Sequence, residues 1–188
     1  FDWSKTGNKN IDIPTVLNTG DKMYFRNDTG KFNTGSNSRD YDALYYSKIS
    51  FLTNKNTNVG GDIRTLLNYI DVETSSMRYT GTFIYLFRDN THIVDASNLR
   101  LQSTNLESGC YQSMFYGCTS LTTAPALPAT SLVNDCYYEM FYGCTSLTTA
   151  PALPATSLKQ SCYSSMFQGC TSLTSAPALP ATTLGYRC

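Results

Sequence analysis

The sequence predicts a right-handed α/β solenoid of 26-residue repeats, preceded by a small antiparallel β-domain. Three observations lead there. Residues 110–135, 136–161 and 162–187 are near-copies, with 18 of 26 positions the same in all three. Within each copy the apolar residues recur first at helical spacing and then at strand spacing. Residues 1–75 share none of this and contain no cysteine. A fixed period of this length marks units that cannot bury an apolar face alone and must stack to form a core.

In the first copy Cys110, Met114 and Cys118 stand at i, i+4 and i+8, flanked by Phe115. That spacing predicts a short helix, which Gly117 would end in a left-handed conformation. The segment Ser120–Ala124 then suits a short strand. Pro125 and Pro128 prevent a long one, because proline lacks the N–H that a ladder needs. Each repeat therefore reads as strand, turn, short helix, turn. The side chains expected inside are Leu121, Leu147 and Leu173, Phe115, Phe141 and Phe167, and Met114, Met140 and Met166.

A degenerate copy precedes these three. Leu86 and Phe87 align with Met114 and Phe115 at an offset of 28, and Leu101 aligns with Leu127 at 26, so the copy carries an insertion within residues 95–100. It also carries more charge, at Arg88, Asp89, Asp95, Arg100 and Glu107. Terminal repeats are usually atypical, and residues 76–109 are read as the N-terminal cap. At the other end Cys188 opens a fourth copy. Residue 1 is Phe, without an initiator Met or a signal peptide. The chain is expected to be an excerpt that continues past Cys188, and an uncapped end there invites association.

Residues 1–75 read as a small β-domain. Strand candidates are Ile11–Val16, Asp21–Asp28 and Leu44–Leu52, the second by its alternation. Asp28–Asp40 is a polar loop, and Asp62–Ile70 suggests one or two helical turns.

The spacing Phe115-Cys118-Leu121, repeated as Phe141-Cys144-Leu147 and Phe167-Cys170-Leu173, resembles the leucine-rich repeats of BspA-like (Treponema-type) bacterial surface proteins. The resemblance covers residues 76–188. It implies a leucine-rich-repeat solenoid on a secreted or outer-surface protein used for adhesion or partner binding, with an accessory role in an outer-membrane assembly as one form. Two features depart from that pattern: the period is longer, and small residues such as Ala124 and Ala126 replace bulky strand residues.

Candidate chemistry is sparse. Net charge is zero, which leaves no electrostatic footprint for nucleic acid. The longest apolar run, residues 83–87, is far short of the ~20 residues of a membrane span. The seven cysteines fall in two columns, Cys110/136/162/188 and Cys118/144/170. Members of one helix would sit about 12 Å apart at ~1.5 Å per residue, too far to bridge. Members of one column would point the same way. Buried, reduced thiols are expected, with Cys188 the most accessible. No paired Cys/His spacing suits zinc. His92, the only histidine, has no nucleophile motif beside it. The loop of residues 28–42 lacks the calcium-loop spacing. No catalytic residue, cofactor or metal is therefore expected, and the chain reads as a non-enzyme.

What remains is recognition. Only 15% of residues are charged, against a typical ~25%. In residues 110–188 the charges are Asp135, Glu139, Lys159 and Arg187 alone. All four fall where the copies differ. The expected partner-binding stripe is Gln112, Ser113, Asp135, Tyr138, Glu139, Lys159, Gln160, Ser164, Tyr186 and Arg187, facing a protein partner. A glycan held on the Tyr111/Tyr137/Tyr163 and Tyr116/Tyr142 rows is the alternative, as is a phage fibre or decoration module. The threonine rows Thr119/145/171 and Thr122/148/174 make ice binding a formal possibility. An extracellular, cell-surface location follows from the resemblance.

Overall fold

The computed structural model describes residues 56–66, 80–102 and 104–188. Among them are two strands, β1 (Thr57–Asp62) and β2 (Ile93–Arg100), which pair in parallel, and one 3-10 turn, Ile63–Leu66. No α-helix occurs among the described residues. The expected α/β leucine-rich-repeat solenoid is therefore corrected: the repeats stack as coils, but the coils contain no helix. The antiparallel β-domain is corrected as well, since β1, the strand described within residues 1–75, runs parallel to its neighbour. Ile11–Val16, Asp21–Asp28 and Leu44–Leu52 lie outside the described residues. Of Asp62–Ile70, the 3-10 turn is described and residues 67–70 are not.

The expected helix at residues 110–118 is instead a chain of turns. Alternate amides do different things. Cys110, Gln112, Met114, Tyr116 and Cys118 donate N–H to the carbonyl three residues earlier, at 3.0–3.3 Å. Gly109, Tyr111, Ser113, Phe115 and Gly117 donate instead to Asn134, Cys136, Tyr138, Met140 and Tyr142 of the next coil, at 2.8–3.1 Å. An α-helix would send every one of these amides back along its own segment. Every fourth residue has positive φ: Gly109, Ser113 and Gly117, then Asp135, Glu139 and Gly143, then Ser161, Ser165 and Gly169. A left-handed residue at the third position of a four-residue turn is what a type II turn takes, and it stops helix propagation. The segment's composition does not resist this, because Cys, Tyr, Ser, Phe and Gly are all mediocre or poor helix formers.

The inter-coil bonds bring neighbouring coils close. Phe83, Tyr111, Tyr137 and Tyr163 stack ring on ring at 5.9, 5.8 and 6.1 Å. Phe87, Phe115, Phe141 and Phe167 form a second column at 5.1, 5.7 and 5.8 Å. A helix, ~10–12 Å across with its side chains, would force these rings apart. Stacked aromatic pairs add about 0.5–1.5 kcal/mol each beyond the area they bury.

Opposite these columns the coils meet through single parallel bridges. Asp95 pairs with Thr123 and Thr123 with Thr149, while Ser131 pairs with Ser157 and Ser157 with Thr183. The strand expected over Ser120–Ala124 shrinks to the one bridge at Thr123. Two amides explain this: Leu121 spends its N–H on the Cys118 carbonyl, and Pro125 has none to give.

Between the two sides lies the core. Met114, Phe115, Leu121, Met140, Phe141 and Leu147 are fully buried, and Met166 nearly so, whereas Phe167 and Leu173 are half-buried. Phe87 stacks on Phe115 across the 28-residue offset. β2 lies between the Thr123 coil and β1, so residues 93–100 have a neighbour on each side. β1 reaches β2 closely because Gly60 has no side chain: a Cβ there would stand 3.0 Å from Cβ of Asn98.

Candidate functional site

Most positions that vary between copies occupy one corner of each coil, where the chain of turns begins. This corner is held by backbone bonds from coil to coil: Gly109 N–H to the Asn134 carbonyl, Asp135 to Gln160, and Ser161 to Tyr186, at 2.9 Å in each case. Ser108 Oγ also donates to the Asn134 carbonyl at 3.0 Å. The backbone groups here are occupied in stacking, while most of the side chains are exposed or half-buried. Lys159, Gln160, Tyr186 and Arg187 are exposed, and Gln112, Asp135, Tyr138, Glu139 and Ser164 are half-buried. Ser113 is different: it is fully buried, with its hydroxyl donating to Glu139 Oε2 at 3.3 Å. It supports the stripe from within and cannot form part of a contact face.

Several of the stripe's residues sit on left-handed backbone, with φ of 55° at Asp135, 52° at Glu139 and 55° at Arg187. A non-glycine residue there carries a cost of roughly 1–2 kcal/mol. Charged side chains are thus held at positions where glycine would be easier. Glu139 is anchored on both flanks. It accepts from Ser113, and its hydrogen bond with Tyr138 raises the Tyr138 phenol above its ordinary pKa. At the far end Arg187 lies over the Tyr186 ring, 5.0 Å from its centroid.

The Tyr116/Tyr142 row is joined by two residues that the sequence did not connect with it, Tyr85 and Arg88. The Arg88 guanidinium lies over both Tyr85 and Tyr116, 4.7 and 4.2 Å from their centroids. Tyr116 then stacks on Tyr142 at 4.7 Å, with the rings 2° from parallel. The signal was the alignment that places Arg88 one register before Tyr116. Its meaning depends on coil spacing, which the sequence does not state.

The tyrosine rows proposed for a glycan lie largely inside. Tyr111 and Tyr137 are fully buried core rings, and the Tyr111 hydroxyl donates to the Gln102 carbonyl at 3.1 Å. Tyr116 and Tyr142 spend one face on each other. The wall made by residues 119–132 and its copies is uncharged. Two of its threonines are tied back to the preceding coil, Thr122 Oγ1 to the Val94 carbonyl at 2.9 Å and Thr145 Oγ1 to the Thr119 carbonyl at 3.2 Å.

The cysteines are free, six buried and Cys188 partly exposed. Cys118, Cys144 and Cys170 donate S–H to the carbonyls of Phe87, Phe115 and Phe141, at 3.0, 3.1 and 3.1 Å. Burial pushes the Cys118 thiol up to about 12 and raises those of Cys144 and Cys170. His92 is half-buried beside Thr91, with 3.4 Å between Nδ1 and Oγ1. No grouping of three or more His, Cys, Asp or Glu that could hold a metal occurs among the described residues. No helix among them is long and apolar enough to cross a membrane.

Together these features define a repeat-built scaffold: a stack of coils with a variable corner that carries the charge and an uncharged wall. No protein-family model matches the chain, and neither does any curated protein or solved structure.

Proposed function

We propose that this chain is a non-enzymatic binding module that recognises a protein partner at a cell surface, through the variable corner of its coils. The observation that carries the reading is the placement of charge. Asp135, Glu139, Lys159 and Arg187 are the four charged residues of residues 110–188, and all stand at the corner where most differences between the near-identical coils fall. Many positions shared by every copy are occupied by packing and by inter-coil bonds, and the shared exposed ones, such as Ala126 and Pro128, carry no charge. Specificity can then reside where side chains change from coil to coil without disturbing the stack. Tyr138, Tyr186 and Arg187 are residue types enriched at protein contacts. The cell-surface location rests on the Phe-Cys-Leu spacing that resembles BspA-like repeats. Burial of Tyr111 and Tyr137 weighs against a glycan as the ligand.

The test is binding of the chain to arrayed extracellular-matrix proteins and arrayed glycans, with Glu139→Lys and Lys159→Glu variants alongside. Binding to a protein that weakens by ~1 kcal/mol or more in either variant, with unchanged circular dichroism, supports the corner as the contact face. Retained affinity in both variants, with loss on altering Thr122, Thr148 and Thr174, moves the site to the wall and overturns the reading. Binding to glycans alone replaces it with the sugar-recognition alternative.

A further inference from the structure

The two cysteine columns, equivalent in sequence, are not equivalent in structure. In the column of Cys118, Cys144 and Cys170, each sulfur is turned to a Phe carbonyl of the preceding coil. In the other column, Cys110 Sγ and Cys136 Sγ face each other at 3.4 Å, both fully buried. The expectation that column members point the same way instead of at each other does not keep this pair of sulfurs apart.

We propose that Cys110 and Cys136 are a site of covalent modification, an inter-coil disulfide that staples the first regular repeat to the second. The backbone already holds the two residues in register: the Tyr111 amide donates to the Cys136 carbonyl at 3.1 Å. Aligned residues on neighbouring coils at strand-like spacing, ~4.8 Å, fall within the Cα separation that a disulfide accepts, ~4.4–6.8 Å. The sulfurs need to close only to the bond length of ~2.05 Å.

The reaction is thiol–disulfide exchange with a small disulfide such as oxidised glutathione. One protein thiolate attacks the small disulfide, forms a mixed disulfide and releases one small thiol. The second protein thiolate attacks the protein sulfur of that mixed disulfide and releases the other small thiol. Two protein thiols are oxidised, one small disulfide is reduced to two thiols, and no net proton is consumed. Burial suppresses the thiolate in the finished fold, where the Cys136 thiol is raised by its Cys110 neighbour. Exchange is therefore fastest while the coils are still assembling.

The experiment is refolding of the reduced chain in a glutathione redox couple, followed by alkylation and peptide mapping, with denaturant midpoints measured before and after reduction. The expected product links Cys110 to Cys136, leaves Cys118, Cys144 and Cys170 alkylated, and unfolds at a higher midpoint than its reduced form. Cys136→Ser removes both the linkage and the midpoint shift. Cys110→Ser, the second variant, does the same and guards against a failure of the first to fold. Refolded protein with Cys110 and Cys136 both alkylated overturns the proposal. So does linkage within the Cys118 column, or a crosslinked product with a lower midpoint than the reduced chain.

Discussion

The thiol of Cys144 donates a hydrogen bond to the carbonyl of Phe115, 3.1 Å away and one coil earlier. The same carbonyl accepts from the Cys118 amide at 3.1 Å, so both of its lone pairs are used. This contact repeats along the stack and explains why a cysteine is wanted there rather than a valine. Cys144→Ala removes the donor and leaves a small void, and is expected to cost about 1–2 kcal/mol. Chemical denaturation in reductant checks this. An alanine variant as stable as the parent would show that the thiol contact contributes nothing.

Leu147 is a fully buried apolar side chain of the middle regular coil, where it cannot relax into solvent. Leu147→Ala is expected to lose about 2–5 kcal/mol, the transfer term plus an unfilled cavity. Leu173→Ala, at the half-buried equivalent in the last described coil, should lose distinctly less. Equal losses in the two denaturation curves would contradict the burial gradient.

The left-handed positions give a pair of opposite expectations. Ser165 has φ of 53° and Gly169 has φ of 78°. Ser165→Gly releases backbone strain and should raise stability by up to ~1 kcal/mol. Gly169→Ala introduces strain and should lower it by about 1 kcal/mol. A thermal melt of each variant decides. If both changes lower the midpoint alike, the turns do not need left-handed backbone at these places.

Alkaline pH should unfold the chain. Burial pushes the Cys118 thiol up to about 12 from an ordinary 9.0. Burial also holds the Tyr111 and Tyr137 phenols well above the usual range. An acid with a raised pKa in the fold keeps its proton there and loses it first in the unfolded chain. Its contribution is thus fully present below the unfolded pKa, 9.0 for the thiol and 10.0 for the phenols, and is lost as pH climbs toward the folded value. Each such group removes about 1.4 kcal/mol per pH unit through that window. Urea midpoints in reductant between pH ~7 and ~11 should fall with increasing slope, and Cys118→Ala should flatten the fall. A level profile would refute the burial argument.

Much of the packing was legible before the structure. Cys110, Met114, Phe115, Cys118 and Leu121 are all buried, as the apolar spacing requires. Their backbone was not legible, for a definite reason. Over nine residues, a face repeating every 3.6 residues and one repeating every four place Cys110, Met114 and Cys118 on the same side. Ser113 and Glu139 were drawn into the stripe by their variability. The structure places one beneath the other, joined by a hydrogen bond. β1 escaped notice because Thr57–Asp62 contains two glycines and reads as a turn. Its partner, β2, lies 36–38 residues on, outside the 26-residue period.

The sequence by itself determined that three near-identical units repeat, that their Met, Phe, Cys and Leu positions supply most of the core, and which segment carries the charge; it did not place Tyr111, Tyr137 or Ser113 inside. Those properties follow from composition and period, which are local. Whether a coil turns through a helix or through linked turns was decided only by tertiary structure. A helix satisfies its amides within one repeat. The linked turns satisfy half of theirs on the next coil, as Tyr111 does on Cys136, and that bond exists only once the neighbour is in place. The same dependence separates the two cysteine columns, because a 3.4 Å approach of Cys110 to Cys136 is a property of coil spacing and not of either residue.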